Sequence, residues 1–170
     1  MSTTEHKATA PKSVGIMVVT VSDTRDEETD KSGKLMKNLL EEAGHTTLLY
    51  YIVKDEPAQI QAVIEQGIEH SEVDVILLNG GTGIAPRDHT YESVKGLLDK
   101  EMPGFGEIFR MLSYTEDIGS ASILSRAIAG TYKGKAIFST PGSTGAVKLA
   151  MVKLILPELG HVVRELRRTV

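Results

Sequence analysis

The stretch "VDVILLNGGTGIAPRDHT", residues 73–90, decides the fold. Its first part is an apolar run too short for a stable helix and too hydrophobic to face water on either side. It reads as a strand buried on both faces, and such strands belong to parallel sheets covered by helices. The run ends at Asn79 and opens directly into Gly80, Gly81, Thr82 and Gly83, with the charge pair Arg87-Asp88 just beyond. In a doubly wound α/β sheet, ligands bind past the carboxyl ends of the strands. The most flexible residues of the segment therefore stand where a ligand is expected.

Working outward, strand-like and helix-like patterns alternate. Residues 14–21 ("VGIMVVTV") and 46–53 ("TTLLYYIV") read as two further strands. "SGKLMKNLLEEAG" between them repeats its apolar residues at helical spacing and stops at Gly44. "EPAQIQAVIEQGIEH" and "TYESVKGLLDK" are two more amphipathic helices, the first with Pro57 in its opening turn. "EMPGFGEIFRMLSYTEDIGS" is expected to be helical over its second half. "AIAGTYKGKAIFSTPG" holds two short strands around Lys133-Gly134, and a long helix from Ser143 is expected to break near Pro157. The pattern predicts one three-layer α/β domain over residues 14–170, its mostly parallel sheet carrying helices on both faces. Residues 1–13 read as a polar, flexible tail.

Bulk properties narrow the function classes. Hydrophobic residues at 41% and charged residues at 25% describe a folded globular chain. A net charge of −4 gives no broad basic face, which argues against gripping nucleic acid by its phosphates. No apolar run approaches the length of a bilayer span, so no membrane partner is expected and the cytoplasm is the expected location. The absence of cysteine removes disulfides, thiolate metal sites and cysteine nucleophiles.

Four segments follow strands and are candidates for chemistry. The glycines of residues 80–83 let backbone amides converge on an anion, and Thr82 could add a hydroxyl donor. The loop lacks the lysine of a Walker sequence and fails the Gly-x-Gly-x-x-Gly spacing, which disfavours a dinucleotide oxidoreductase. Asp55 and Asp88 each lie just past a strand. Together they could hold a magnesium ion against triphosphate oxygens; singly, each suits the N-cap of the helix that follows it. In the acidic run from Asp23 to Asp30, most charges read as solvated surface, and Asp30 as a helix cap. "STPGST", with Pro141, Gly142 and Ser143, offers amides and hydroxyls at a helix start, or simply a capped turn. The histidines show no metal-pair spacing, and His89 alone is placed to touch a ligand. The C-terminal "RELRR" reads as a complement to a helix dipole.

In sequence order, "TVSDTR", "DKSG", "NGGTGIAPRDHT", "EMPGFGEIFRMLS", "ILSRAIAG" and "STPGST" resemble the MoaB/Mog proteins of molybdenum-cofactor biosynthesis, over nearly the whole chain. "FGEIFRMLS" and the "PGST" ending resemble the bacterial MoaB type. The resemblance implies a molybdopterin adenylyltransferase, which joins AMP from ATP to molybdopterin, releases pyrophosphate and uses Mg2+. Its product would pass to a downstream molybdenum-insertion protein. The resemblance also implies Asp55 and Asp88 as catalytic acids and metal ligands, and residues 80–83 as the phosphate-binding turn. Ser22, Asp23, Asp30 and Ser32 match a first active-site loop, and Ser125, Pro141, Gly142 and Ser143 further binding positions. A homo-oligomer, trimer or hexamer, is expected. The alternative is a non-catalytic molybdopterin-binding or scaffold protein of the same pathway.

Overall fold

In β1 (Gly15–Val21), Ile16 and Val18 join one hydrophobic core, and Met17, Val19 and Val21 join another. β3 (Val75–Asn79) repeats the division: Val75 and Leu77 on one side, Ile76 and Leu78 on the other. Side chains alternate across a strand, so a strand apolar at every position buries both faces. The computed structural model describes residues 2–169, and this division runs through its six-stranded sheet. With β2 (Thr46–Val53), β4 (Lys100–Glu101), β5 (Ile128–Tyr132) and β6 (Lys135–Thr140), the strand order is β2-β1-β3-β6-β5-β4. The first four are parallel; β5 runs antiparallel to β6, and β4 antiparallel to β5.

Helices cover both faces, as the sequence predicts. On one side lie α2 (Lys31–Glu42), α5 (Pro103–Glu116), α6 (Thr144–Ala150) and α7 (Leu156–Arg167). They contribute Met36, Leu40, Phe109, Val147 and Leu159, all fully buried. On the other side α3 (Pro57–Glu69) and α4 (Thr90–Leu97) supply Ile60, Ile64 and Val94. Each such side chain contributes on the order of 1.5–3 kcal/mol through area removed from water. α2 ends where its sequence says, with Gly44 at φ +85° just past the C-cap Ala43.

Two local expectations need correction, and a third takes a specific form. The stretch read as a tail contains a short helix, α1 (Thr3–Ala8), started by a capping box in which Ser2 and Glu5 bond each other's backbone N–H. α1 rests on α7 through an ion pair from Lys7 to Glu158 and a close contact of His6 Nδ1 with Glu165 Oε1. α5 starts at Pro103, well before the expected point, and two glycines disguise its first turns. Gly106 is required there: a Cβ would lie 2.7 Å from the Ala127 carbonyl and 2.8 Å from the Arg110 guanidinium. The break near Pro157 is a π-helical turn (Met151–Ile155) between α6 and α7. Proline lacks the N–H that continues the ladder and its ring crowds the preceding turn, and a widened turn closed by the Leu156 N–H on the Met151 carbonyl accommodates it.

Candidate active site at the carboxyl edge of the sheet

Strand order reverses between β1 and β3: the chain passes from β1 outward to β2, then back to the far side of β1. At that switch point the sheet carries polar side chains in place of its apolar core. Thr20, Asn79 and Thr140 lie in register at the ends of β1, β3 and β6. Asn79 Nδ2 donates to Thr20 Oγ1 at 2.9 Å, and Thr20 Oγ1 donates to Asp30 Oδ2 at 2.7 Å. This buried chain of bonds fixes the strand ends from which the loops depart.

The glycine loop is built for close approach. Gly80 has φ +102°, and a Cβ there would lie 2.1 Å from the Val21 carbonyl oxygen. Gly81 has φ +68°, and a Cβ there would meet Thr90 Oγ1 at 2.1 Å and Asp55 Oδ2 at 2.4 Å. Three of the loop's carbonyls are engaged. Gly81 accepts from the Thr90 N–H at 3.1 Å, Thr82 from the Arg126 N–H at 3.1 Å, and Gly83 from Arg126 Nε at 2.9 Å. In a trans peptide the C=O and the following N–H point in opposite directions, and the described peptides are all trans. The N–H groups of Thr82, Gly83 and Ile84 are thereby turned away from Thr90 and Arg126.

The two acids do not act as caps for the helices that follow them. α3 has Glu56 at its N-cap and α4 has His89, and neither helix start is capped by a side chain. Asp55, only 6% exposed, instead reaches across to accept the His89 N–H at 3.0 Å, with its Oδ2 over Gly81. Asp88 Oδ2 accepts the Ala85 N–H at 2.8 Å and lies over Gly83, where a Cβ would come within 2.7 Å. Both carboxylates thus converge on the same loop from separate strands. Burial raises the pKa of Asp55, the His89 N–H opposes that, and the Asp88 and Asp23 charges add to it. Thr90 Oγ1, beside Asp55, is buried without a hydrogen-bond partner.

The other predicted residues divide into three groups. A cleft of about 320 Å³ is lined by Gly81, Thr82, Gly83, Asp88, Ser125, Pro141, Gly142 and Ser143, together with α5 and the turn after it. Ser143 Oγ caps α6 by accepting the Ala146 N–H. The first loop does not line this cleft. Asp23 stands behind it, accepting the Asp55 N–H at 3.1 Å and pairing with Arg87 at 2.9 Å. The Arg87 hydrogen bond, foremost, holds the Asp23 carboxyl below its ordinary range. Ser22 Oγ accepts the N–H groups of Thr24 and Arg25 and shapes the loop. Asp30 and Ser32 form the third group: both are buried. Asp30 caps α2 at the Gly33 N–H and receives the Thr20 and Tyr50 hydroxyls, so its carboxylate is spent on the fold. Ser32 Oγ donates to the Gly142 carbonyl at 2.6 Å and anchors the cleft's far wall.

Sequence reasoning missed Arg126. Its guanidinium binds the carbonyls of Gly83 and Asp88 and pairs with Glu92, strapping the whole loop to β5 and α4. The signal lies in "LSR", where Arg126 directly follows the candidate Ser125. Nor is Arg87 paired with its neighbour Asp88; it bridges Asp23 and Glu56.

A family profile described as "Probable molybdopterin binding domain" matches residues 17–161, from β1 into α7. The chain belongs to this family. It is 63% identical over 168 residues to the molybdenum cofactor biosynthesis protein B of Bacillus subtilis, covering 99% of each chain. A crystal structure of a molybdenum cofactor biosynthesis protein B, 61% identical, superposes with a TM-score of 0.91 over 94% of this chain and 99% of that one. The tungsten cofactor synthesizing protein MoaB from Pyrococcus furiosus, 41% identical, gives a TM-score of 0.81 over 94% and 100%. The family match spans the glycine loop, both acids and the cleft. Among the described residues, no helix is long and apolar enough to cross a membrane.

Proposed function

We propose that this member of the molybdopterin-binding family acts in molybdenum-cofactor biosynthesis as an adenylyltransferase. It would transfer AMP from ATP to the terminal phosphate of molybdopterin and release pyrophosphate. The observation that carries this reading is the convergence of Asp55 and Asp88 on one glycine loop whose Gly81, Thr82 and Gly83 carbonyls are bonded to Thr90 and Arg126.

The chemistry asks for alignment more than for a base. A phosphate oxygen of the pterin is already ionised at neutral pH and attacks the α-phosphorus; the bond from that phosphorus to the bridging oxygen breaks, and pyrophosphate carries the electrons away. Holding the two phosphates in line and offsetting charge as pyrophosphate leaves supplies most of the acceleration. The amides of Thr82, Gly83 and Ile84 are the donors suited to hold phosphate oxygens, as backbone nests do elsewhere. Arg126 keeps the loop in that shape by occupying its carbonyls.

Two carboxylates beside a phosphate site would repel the substrate unless a cation lies between them. Asp55 Oδ2 and Asp88 are hard oxygen donors of the kind magnesium prefers. Magnesium, when bound there, would neutralise the oxygens of the leaving pyrophosphate.

Asp88→Asn is expected to lower pyrophosphate release, measured with molybdopterin, ATP and Mg2+, by at least about a hundredfold while pterin binding persists. Full turnover in that variant would remove the assignment. Molybdopterin binding by the unaltered chain with no pyrophosphate release would favour the non-catalytic binding or scaffold role.

A further inference from the structure

His6 and His161 stand near opposite ends of the chain, and no sequence spacing joins them. Folding does. α1 rests on α7, and the two rings meet edge to face with centroids 5.9 Å apart. Glu165, one helical turn beyond His161, completes the group, with its Oε1 3.0 Å from His6 Nδ1. One donor atom from each of His6, His161 and Glu165 lies within 4.8 Å of the others, and all three residues are half-buried.

Behind this trio stands a second carboxylate. Glu158 Oε2 bonds His161 Nδ1 at 2.9 Å and is itself held by Lys7. With Nδ1 occupied, Nε2 is the ring nitrogen left for a ligand. A carboxylate on the opposite nitrogen is the arrangement that fixes the tautomer and orientation of metal-binding histidines.

We propose that His6, His161 and Glu165 form a zinc site that clips α1 to α7. Two imidazoles and one carboxylate suit a borderline-soft ion, with water as the fourth ligand of a tetrahedron; magnesium prefers oxygen alone. Donors bound at about 2.0–2.2 Å in a tetrahedron stand roughly 3.4 Å apart, so side-chain rotations of about 1 Å close the site. α1 buries none of its residues and can follow that movement. The competing cations are Arg164 and Arg168, at 2.7 Å and 3.3 Å from the Glu165 oxygens. Zinc would take Oε1 from Arg164, whose Nε also donates to Thr9 Oγ1 at 2.8 Å.

The test is calorimetric titration of the full chain with zinc chloride, in excess magnesium so that Asp55 and Asp88 are masked. Cobalt absorption in parallel reports the geometry. One ion per chain with a tetrahedral cobalt spectrum is expected. His6→Ala and His161→Ala should each weaken zinc binding at least about tenfold, and Glu158→Gln, which removes no ligand, about ten- to a hundredfold. His45→Ala, away from the site, should bind zinc as the unaltered chain does. Zinc should also slow proteolysis within residues 2–9. Absence of binding, or binding unchanged in His6→Ala, would overturn the proposal.

Discussion

Asp55 is the residue on which burial and charge conflict most directly. Its carboxylate is buried, yet it has only a backbone N–H and a neighbouring loop for company. Burial lifts its pKa above the usual aspartate value of 3.8. The folded state therefore holds that proton more tightly than the unfolded chain, and stability falls as pH rises from 3.8 through the folded value. At neutral pH the charge is a burden that function must explain. Asp55→Asn keeps an oxygen for the His89 N–H and removes the charge. It is expected to melt higher than the unaltered chain at pH 7, with the advantage vanishing at about pH 4 or below, while pyrophosphate release is lost. Thermal melts across that range check the sign; an advantage that grew on acidification would contradict it. Gly81 makes the same point from the backbone, since its left-handed φ and the nearness of Asp55 and Thr90 leave no space for a side chain.

At the scale of elements, most of the layout was legible because each strand is apolar throughout and each helix carries one apolar face. β2 was read to the residue, and β1 and β3 to within two. What escaped was structure set by long-range partners. The start of α5 depends on Gly106 fitting under the Ala127 carbonyl, which no local periodicity records. The burial of Asp30 depends on Thr20 and Tyr50, from two different strands. The acids were located by their position after strands, but whether they capped their own helices was open until their partners were seen. α1 differs: its Ser2-x-x-Glu5 box is a local signal, present in the sequence itself. Arg126 is the element-scale device that joins loop, β5 and α4. Arg126→Ala should destabilise the fold by roughly 1–3 kcal/mol, because carbonyls of the glycine loop lose a charged donor. Hydrogen exchange across residues 81–88 should quicken with it; unchanged exchange there would mean that the strap is not needed.

At the scale of the molecule, a group of large apolar side chains on and after α5 is exposed among the described residues. Ile108, Met111, Tyr114 and Ile118 on and after α5 are 47%, 61%, 59% and 52% exposed, and Ile123 reaches 78%. Apolar surface of this extent marks an interface more often than bare solvent contact. We propose that it joins copies of this chain, as the expected trimer or hexamer requires. Ile118 and Leu124 also line the cleft, so an adjoining copy would border the site. Light scattering is expected to give a multiple of the 18.4 kDa chain mass, and Ile123→Asp to shift it towards the monomer. A monomeric unaltered chain would refute that assembly.

The most direct measurement is a crystal structure with a non-hydrolysable ATP analogue and Mg2+. Phosphate oxygens are expected within hydrogen-bond distance of the Thr82, Gly83 and Ile84 amides, with the ion on Asp55 or Asp88. A triphosphate seated elsewhere, with that loop empty, would contradict it.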